Sequence, residues 1–334
     1  MRLGLIGLGR IGSFHLETLA ALPAVETLVV YDPVSALAKQ AEQRLGVQAV
    51  DSTAALLASG LDGVVIAAAT DAHPELIRLA LAARLPVFCE KPVAATAAES
   101  VKVQRLVDGS GVPVQVGYPR RFDKGFLAAR SAVASGELGW LHTVRSTTLD
   151  PAPPPAAYLA RSGGIFRDCS VHDFDAIRWV TGQDVRQVYA TGSNQGDTFF
   201  ADAGDVDTAA AVLTLSSGTL ALVSNSRYNA RGYDVRLEVH GSRDSIGVGL
   251  DERLPLRSVE PGVEFPRKQP HVLFIDRFAD AFRAELTAFT EVVAGTRTSP
   301  CTVADALEAS WIAEAATLSR QVGRPVDVSE VKPS

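Results

Sequence analysis

Hydrophobic and polar positions fall into two textures along the chain. In the first, short continuous apolar runs (residues 2–6, 27–31, 47–50, 64–67, 87–89 and 112–116) alternate with segments of helical period. Phe14, Leu16, Leu19 and Leu22 mark the first of those segments, and 34–45, 53–59, 75–83 and 96–107 the others. Regular strand–helix alternation with short connections predicts a right-handed, doubly wound parallel sheet covered on both faces. The second texture begins after Gly117-Tyr118-Pro119-Arg120-Arg121-Phe122. Residues 124–135 read as helix and 140–148 as a strand of period two, and 150–155, rich in proline, as a stiff extended segment. A helix to residue 180 follows, then consecutive strands at 185–191, 208–215, 219–225 and 235–240, and helices at 276–294 and 303–321. Strands without intervening helices predict an α+β domain with a large, open, mostly antiparallel or mixed sheet. We therefore expect two domains, 1–118 and 119–334, the last helices being free to pack back on the first.

Composition narrows the partners. A chain of 334 residues is long enough for two cores, and 47% hydrophobic with 21% charged residues is a globular balance. A formal net charge of −6, without long runs of like charge, argues against nucleic acid as a partner. Residues 208–226 carry no charge over nearly the length of a membrane span, but Ser216-Ser217-Gly218 interrupts them, so two strands and a turn are expected and no membrane segment. Cys89, Cys169 and Cys301 are scattered and odd in number, which predicts no disulfide framework and a reducing cytoplasm.

The first strand ends in Gly7-Leu8-Gly9-Arg10-Ile11-Gly12 and leads into a helix, the context that a dinucleotide fingerprint requires. The first glycine permits the turn, the second lets a pyrophosphate approach the backbone, and the third lets helix and strand pack closely. The second strand ends at Asp32, 20 residues beyond Gly12, where a carboxylate accepts from both ribose hydroxyls and repels a 2′-phosphate. The first domain thus reads as a Rossmann fold for NAD in preference to NADP, with the Arg10 guanidinium the one group that favours a phosphate. Further strand ends supply Thr70, His73, Glu90 and Lys91, displayed where loops of a parallel sheet line a cofactor crevice. The bland readings are helix capping for His73, a surface lysine with a Glu90 partner for Lys91, and a small buried hydrophobe for Cys89.

In the second domain a Gly163-Gly164 turn precedes Asp168, His172 and Asp175, which share one face at α-helical spacing. A carboxylate beside an imidazole orients the ring and supports its charge, as a general acid/base needs; the bland reading is a stabilising surface pair. The same three side chains also raise the alternative of a divalent metal, although no clear further ligand accompanies them.

Taken in order, GLGRIG at Gly7 to Gly12, EKP at Glu90 to Pro92 and GGIFRDxxxHDFD at Gly163 to Asp175 resemble the glucose–fructose oxidoreductase/inositol dehydrogenase (Gfo/Idh/MocA) family over nearly the whole chain. GYPRRFD from Gly117, DPAPPP from Asp150 and NARGYD from Asn229 look like its inositol 2-dehydrogenase branch. The resemblance implies a Rossmann domain followed by an open sheet for substrate and oligomer contacts, commonly in a homotetramer. It also implies that Lys91, Asp168 and His172 are the catalytic lysine, aspartate and histidine, converging on one crevice. Pro119, where relatives usually carry Met or a polar residue, and Leu149, where Arg is frequent, depart from the pattern beside expected substrate contacts.

The expected reaction is NAD-dependent oxidation of a secondary alcohol of a cyclic polyol, first of all myo-inositol to its 2-ketone. His172 is the expected acid/base, Asp168 its orienting group and Lys91 the group polarising the oxygen. Arg120, Thr148, Asp150 and Tyr233 are candidates for binding hydroxyls, Tyr233 having a core role as its rival. Alternatives are another sugar (a pyranose, an anhydrosugar or another inositol isomer) and a non-enzymatic NAD-binding sensor.

Overall fold

Four of the five residues of β1 (Arg2–Ile6) are buried, the pattern of a strand covered on both faces. In the computed structural model, which describes residues 1–333, β1 is followed by α1 (Arg10–Ala20), β2 (Thr27–Tyr31), α2 (Ser35–Leu45), β3 (Gln48–Ala49) and α3 (Thr53–Leu57). Then come β4 (Gly63–Ile66), α4 (His73–Ala82), β5 (Val87–Glu90), α5 (Ala97–Ser110) and β6 (Val114–Gly117). The six strands are all parallel, in the order β3-β2-β1-β4-β5-β6. The order reverses between β1 and β4, so the loops after these strands open the switch point at which such sheets take dinucleotides.

The second sheet has seven strands in the order β12-β11-β7-β10-β9-β8-β13. Its elements are α6 (Lys124–Ala134), β7 (Leu141–Leu149), α7 (Ala156–Ser162), α8 (Val171–Thr181), β8 (Val185–Ser193), α9 (Phe199–Asp202), β9 (Thr208–Leu215), β10 (Leu220–Ser226), β11 (Asp234–Gly241), β12 (Ser245–Val248) and α10 (Phe274–Arg277). The chain closes with α11 (Ala279–Val293), α12 (Val303–Val322) and β13 (Val326–Asp327). All neighbours are antiparallel except β7 and β10, which run parallel. The uncharged stretch 208–226 is the β9–β10 hairpin, and among the described residues no helix is long and apolar enough to cross a membrane.

Residues Met1–Pro119 and Asp280–Leu307 form one compact unit, and Arg120–Ala279 with residues 308–333 the other. Leu286 and Phe289 of α11 complete the first core around Leu3, Leu5, Leu16, Val30, Val65 and Phe88. The expected helix 276–294 is broken: Phe278 leaves helical geometry (φ −112°, ψ 18°) between α10 and α11. The expected helix to residue 180 also differs, since Phe166–Ser170 form a π-helical turn before α8. Its entry depends on the glycine pair: Gly163 and Gly164 have φ of +80° and +89°, and a Cβ on Gly164 would lie 3.0 Å from Asp205 Oδ1. That same oxygen accepts the Ile165 N–H at 3.0 Å, supplying the first turn with a partner from outside the helix.

Candidate active site

The glycine loop has the geometry that its spacing predicts. Gly7 has φ +94°, and a Cβ there would lie 2.6 Å from the Ala67 carbonyl oxygen. A Cβ on Gly12 would lie 2.0 Å from the Gly7 carbonyl oxygen, so α1 packs against the loop at a distance only glycine allows. At Gly9 nothing lies within 4 Å of the missing Cβ, which leaves backbone and the amino end of α1 open to an anion. Arg10 and Ile11 start that helix, Arg10 exposed. Asp32 accepts the Leu8 N–H at 2.7 Å and the Val34 N–H at 2.8 Å, so this buried carboxylate shapes the loop from below the strand end. Loop, helix end and acidic strand end suit a dinucleotide.

Beyond β5 the loop carries Glu90, half-buried Lys91 and a cis Lys91–Pro92 peptide. Glu90 Oε1 lies 2.6 Å from Nε2 of His15, a wholly buried α1 side chain packed edge-on against Phe88 and Phe282. His15 was missed by the sequence reading, although a lone histidine on the buried face of the first helix was a signal. Thr70 opens a single 3-10 turn, Thr70–Ala72, ahead of His73. His73 is buried, with Nδ1 2.7 Å from the Pro92 carbonyl and Nε2 3.0 Å from the Ala68 carbonyl. Burial pulls its pKa down, against the opposing pull of the two carbonyls and of Glu90 and Asp71. Both ring nitrogens of this cofactor candidate therefore face backbone, and the ring ties the β4 and β5 loops together. Cys89 is buried and its thiol pushed well up by burial and then by Glu90, so it stays a neutral core group.

In the second unit, Asp168 sits in the π turn with its side chain 12% exposed. Its Oδ1 accepts from the Tyr158 hydroxyl at 2.8 Å and its Oδ2 from Nη2 of Arg227 at 2.7 Å. Arg227 Nη1 donates to Asp150 Oδ2, also at 2.7 Å, so one guanidinium joins two of the predicted residues. His172 is half-buried in the first turn of α8, four residues after Asp168. Neither Tyr158 nor Arg227 belongs to a recognisable motif; Arg227 is signalled only as the first charge after the uncharged stretch.

Asp175 does not join them, which corrects the expectation of three residues on one face. Asp175 turns to a partner of its own, Arg121, and not to the Asp168 cluster. Asp175 is buried and bound through both oxygens by Arg121, at 2.6 and 3.0 Å. Among the described residues no group of three or more His, Cys, Asp or Glu side chains could hold a metal.

Arg120 and Thr148 lie inside the protein, 3% and 2% exposed. Asp173 Oδ1 accepts from Arg120 Nη1 (2.7 Å), Ser146 (2.6 Å) and Thr148 (2.8 Å), and its Oδ2 from Asn225 (2.8 Å). Ser146 and Thr148 share a face of β7 at period two, and Asn225 is the β10 residue in register with Thr148. Burial opposes the Arg120 charge, but Asp173 and its neighbours outweigh it and raise the guanidinium's pKa. Tyr233 is buried as well; burial pushes its pKa up although Arg120 pulls the other way. Of the four hydroxyl-binding candidates only Asp150 keeps an appreciably exposed side chain, at 22%.

Residues 1–118 match the family model described as an oxidoreductase family with an NAD-binding Rossmann fold, and 126–247 match the GFO/IDH/MocA C-terminal domain. The myo-inositol 2-dehydrogenase of Thermotoga maritima is 34% identical over 99% of each chain. The chain belongs to the GFO/IDH/MocA family. Its first unit is an NAD-binding Rossmann domain and the protein is an oxidoreductase. The crystal structure of a myo-inositol dehydrogenase from Corynebacterium glutamicum superposes with a TM-score of 0.90 at 33% identity, covering 100% of this chain and 99% of that one. A scyllo-inositol dehydrogenase from Lactobacillus casei, solved with bound NAD(H) and scyllo-inositol, gives a TM-score of 0.90 at 28% identity, covering 98% of this chain and 99% of that one.

Proposed function

We propose that the protein oxidises one secondary alcohol of a cyclic polyol to a ketone with NAD as acceptor, myo-inositol being the first substrate to test. The observation that carries the reading is the Asp168 carboxylate, held by Tyr158 and Arg227 and followed four residues later by half-buried His172. In this reading His172 takes the hydroxyl proton, Asp168 orients the imidazole and supports its charge, and Lys91 donates to the same oxygen as alkoxide character develops. NAD, when bound, accepts the carbinol hydride. Gly7, Gly9, Gly12 and Asp32 hold the dinucleotide, with Asp32 favouring NAD over NADP. Asp150 is the foremost candidate for a substrate hydroxyl because its carboxylate combines partial exposure with a rigid anchor.

Relatives named for myo-inositol and for scyllo-inositol are about equally similar to this chain, at 34% and 33% identity, which favours oxidation of a different inositol isomer as the second reading. Mixing the protein with NAD or NADP and a panel of myo-inositol, scyllo-inositol, glucose and levoglucosan, and following absorbance of the reduced cofactor, separates these readings. Turnover of myo-inositol with NAD is expected. A pyranose preference would move the substrate, and silence across the panel with tight NAD binding would favour a sensor.

We also propose that the protein is a homotetramer of the cytoplasm. The outward side of the seven-stranded sheet carries exposed Tyr189, Val212, Leu220 and Leu222 where a solvated face is ordinarily polar, so a second copy is the occupant it suits. A monomeric mass in solution would contradict this. Three separate buried free cysteines suit a reducing compartment.

A further inference from the structure

We infer that Arg227 is a positioning residue for the proposed chemistry: it holds Asp168 in place and limits how strongly that carboxylate retains a proton on His172. The inference rests on the reading of Asp168 and His172 as the acid/base pair.

The sheet, and not the helix, sets where the Arg227 guanidinium lies. Arg227 follows the last residue of β10, and Asp150 follows the last residue of the parallel strand β7, with Ser226 and Leu149 in register. The two strand ends are cross-tied, because Asp150 N–H donates to the Ser226 carbonyl and Asn229 N–H to the Asp150 carbonyl, both at 2.8 Å. Arg227 N–H donates to the Asp207 carbonyl at 2.8 Å, which pins its own backbone. From this base the guanidinium, only 4% exposed, reaches Asp150 and Asp168 with one terminal nitrogen each. Asp168 is therefore located by the strand ends below and by Tyr158 of α7.

The charges say what this arrangement does. Burial alone opposes a charged guanidinium, but Cys169, Asp168 and Asp150 outweigh it and raise the Arg227 pKa, so the cation persists at any working pH. Ionisable groups facing the guanidinium are Asp150, just after β7, and Asp168 and Cys169 of the π turn, with Tyr158 of α7 on the far side of Asp168; His172 follows Asp168 by four residues. Arg120, Asp173 and Tyr233 bear on the same layer. A carboxylate already paired with a cation attracts an imidazolium less than a lone one does, so its histidine releases the proton at lower pH. A base that must be neutral to accept a hydroxyl proton gains from this.

The test is the titration of His172 in the full-length protein, followed by NMR of its imidazole and assigned by loss of the signal in His172→Ala. Arg227→Gln should raise the pH at which His172 titrates by about one unit, since a neighbouring cation is removed. Asp150→Asn should move it the opposite way, because Arg227 is then left to Asp168 alone. The low-pH limb of kcat for polyol oxidation should follow both shifts, whereas a merely structural Arg227 would lower kcat and leave the limb in place. An unmoved His172 titration in folded Arg227→Gln overturns the inference. Should that variant not fold, a His172 titration in Asp150→Asn that is unmoved or moves upward overturns it equally. If no polyol is turned over by the unmodified protein, the dehydrogenase reading fails while the His172 titration still decides the role of Arg227.

Discussion

Two acidic clusters lie along the same helical segment and put one chemistry to different uses. Asp173, in the buried cluster, is wholly enclosed, and its two oxygens take four hydrogen bonds from Arg120, Ser146, Thr148 and Asn225. Asp168, at the rim, keeps 12% of its side chain exposed and is held by Arg227 and Tyr158, of which Tyr158 is itself 47% exposed. The difference lies in what surrounds the carboxylate. Saturation by strand residues in register makes Asp173 a clamp between α8 and the β7–β10 pair. A bonded carboxylate at the edge of solvent is both preorganised and reachable.

Removing each carboxylate should break the comparison in opposite ways. Asp173→Ala leaves Arg120 buried without its main counter-charge, which costs about 3–5 kcal/mol. It should appear in denaturant unfolding as a sharply lower midpoint, with activity lost through unfolding. Asp168→Asn should leave the midpoint nearly in place and lower kcat on the order of 100-fold, as loss of an acid/base partner does. Equal loss of stability in the two variants would make Asp168 a second clamp.

The histidines sharpen the same contrast with a smaller effect. His73 lies between two carbonyls with its pKa held below the ordinary 6.5 by burial. Its folded-state value is depressed, so its contribution to stability is complete above that ordinary value and is lost as pH falls through the folded one. The thermal midpoint should therefore decline more steeply below pH 6.5 in the unmodified protein than in His73→Gln. Identical slopes would mean that His73 takes up its proton alike in the folded and unfolded chain, against the lowered value.

How much of this was legible differed between the units for physical reasons. Buried parallel strands are continuous apolar runs, and the glycine positions answer to contacts that a Cβ forbids, so the Rossmann unit and its dinucleotide loop could be read from residue type and spacing alone. The second unit offered period-two strands, but the entry to its central helix was hidden, because nothing in Phe166–Ser170 announces a π turn. Asp175 was aligned with Asp168 because helical spacing does not reveal its partner Arg121, 54 residues away. Arg120 and Thr148 looked like hydroxyl binders because their chemistry suits sugars; a linear pattern does not reveal that Thr148 is in register with Asn225 or that Arg120 and both strand residues meet at Asp173. Arg227 and His15 went unnoticed because each meets its partner across a long stretch of chain.

The central claim is that the rim pair Asp168 and His172 carries out the proton transfer of an NAD-dependent polyol oxidation. The most direct measurement is single-turnover formation of NADH by His172→Ala beside the unmodified protein, with NAD affinity measured on the same samples. The account predicts a fall in the chemical step on the order of 100-fold or more, with NAD affinity unchanged. An undiminished chemical step, or an equal loss of NAD binding, would contradict it and return His172 to a structural role.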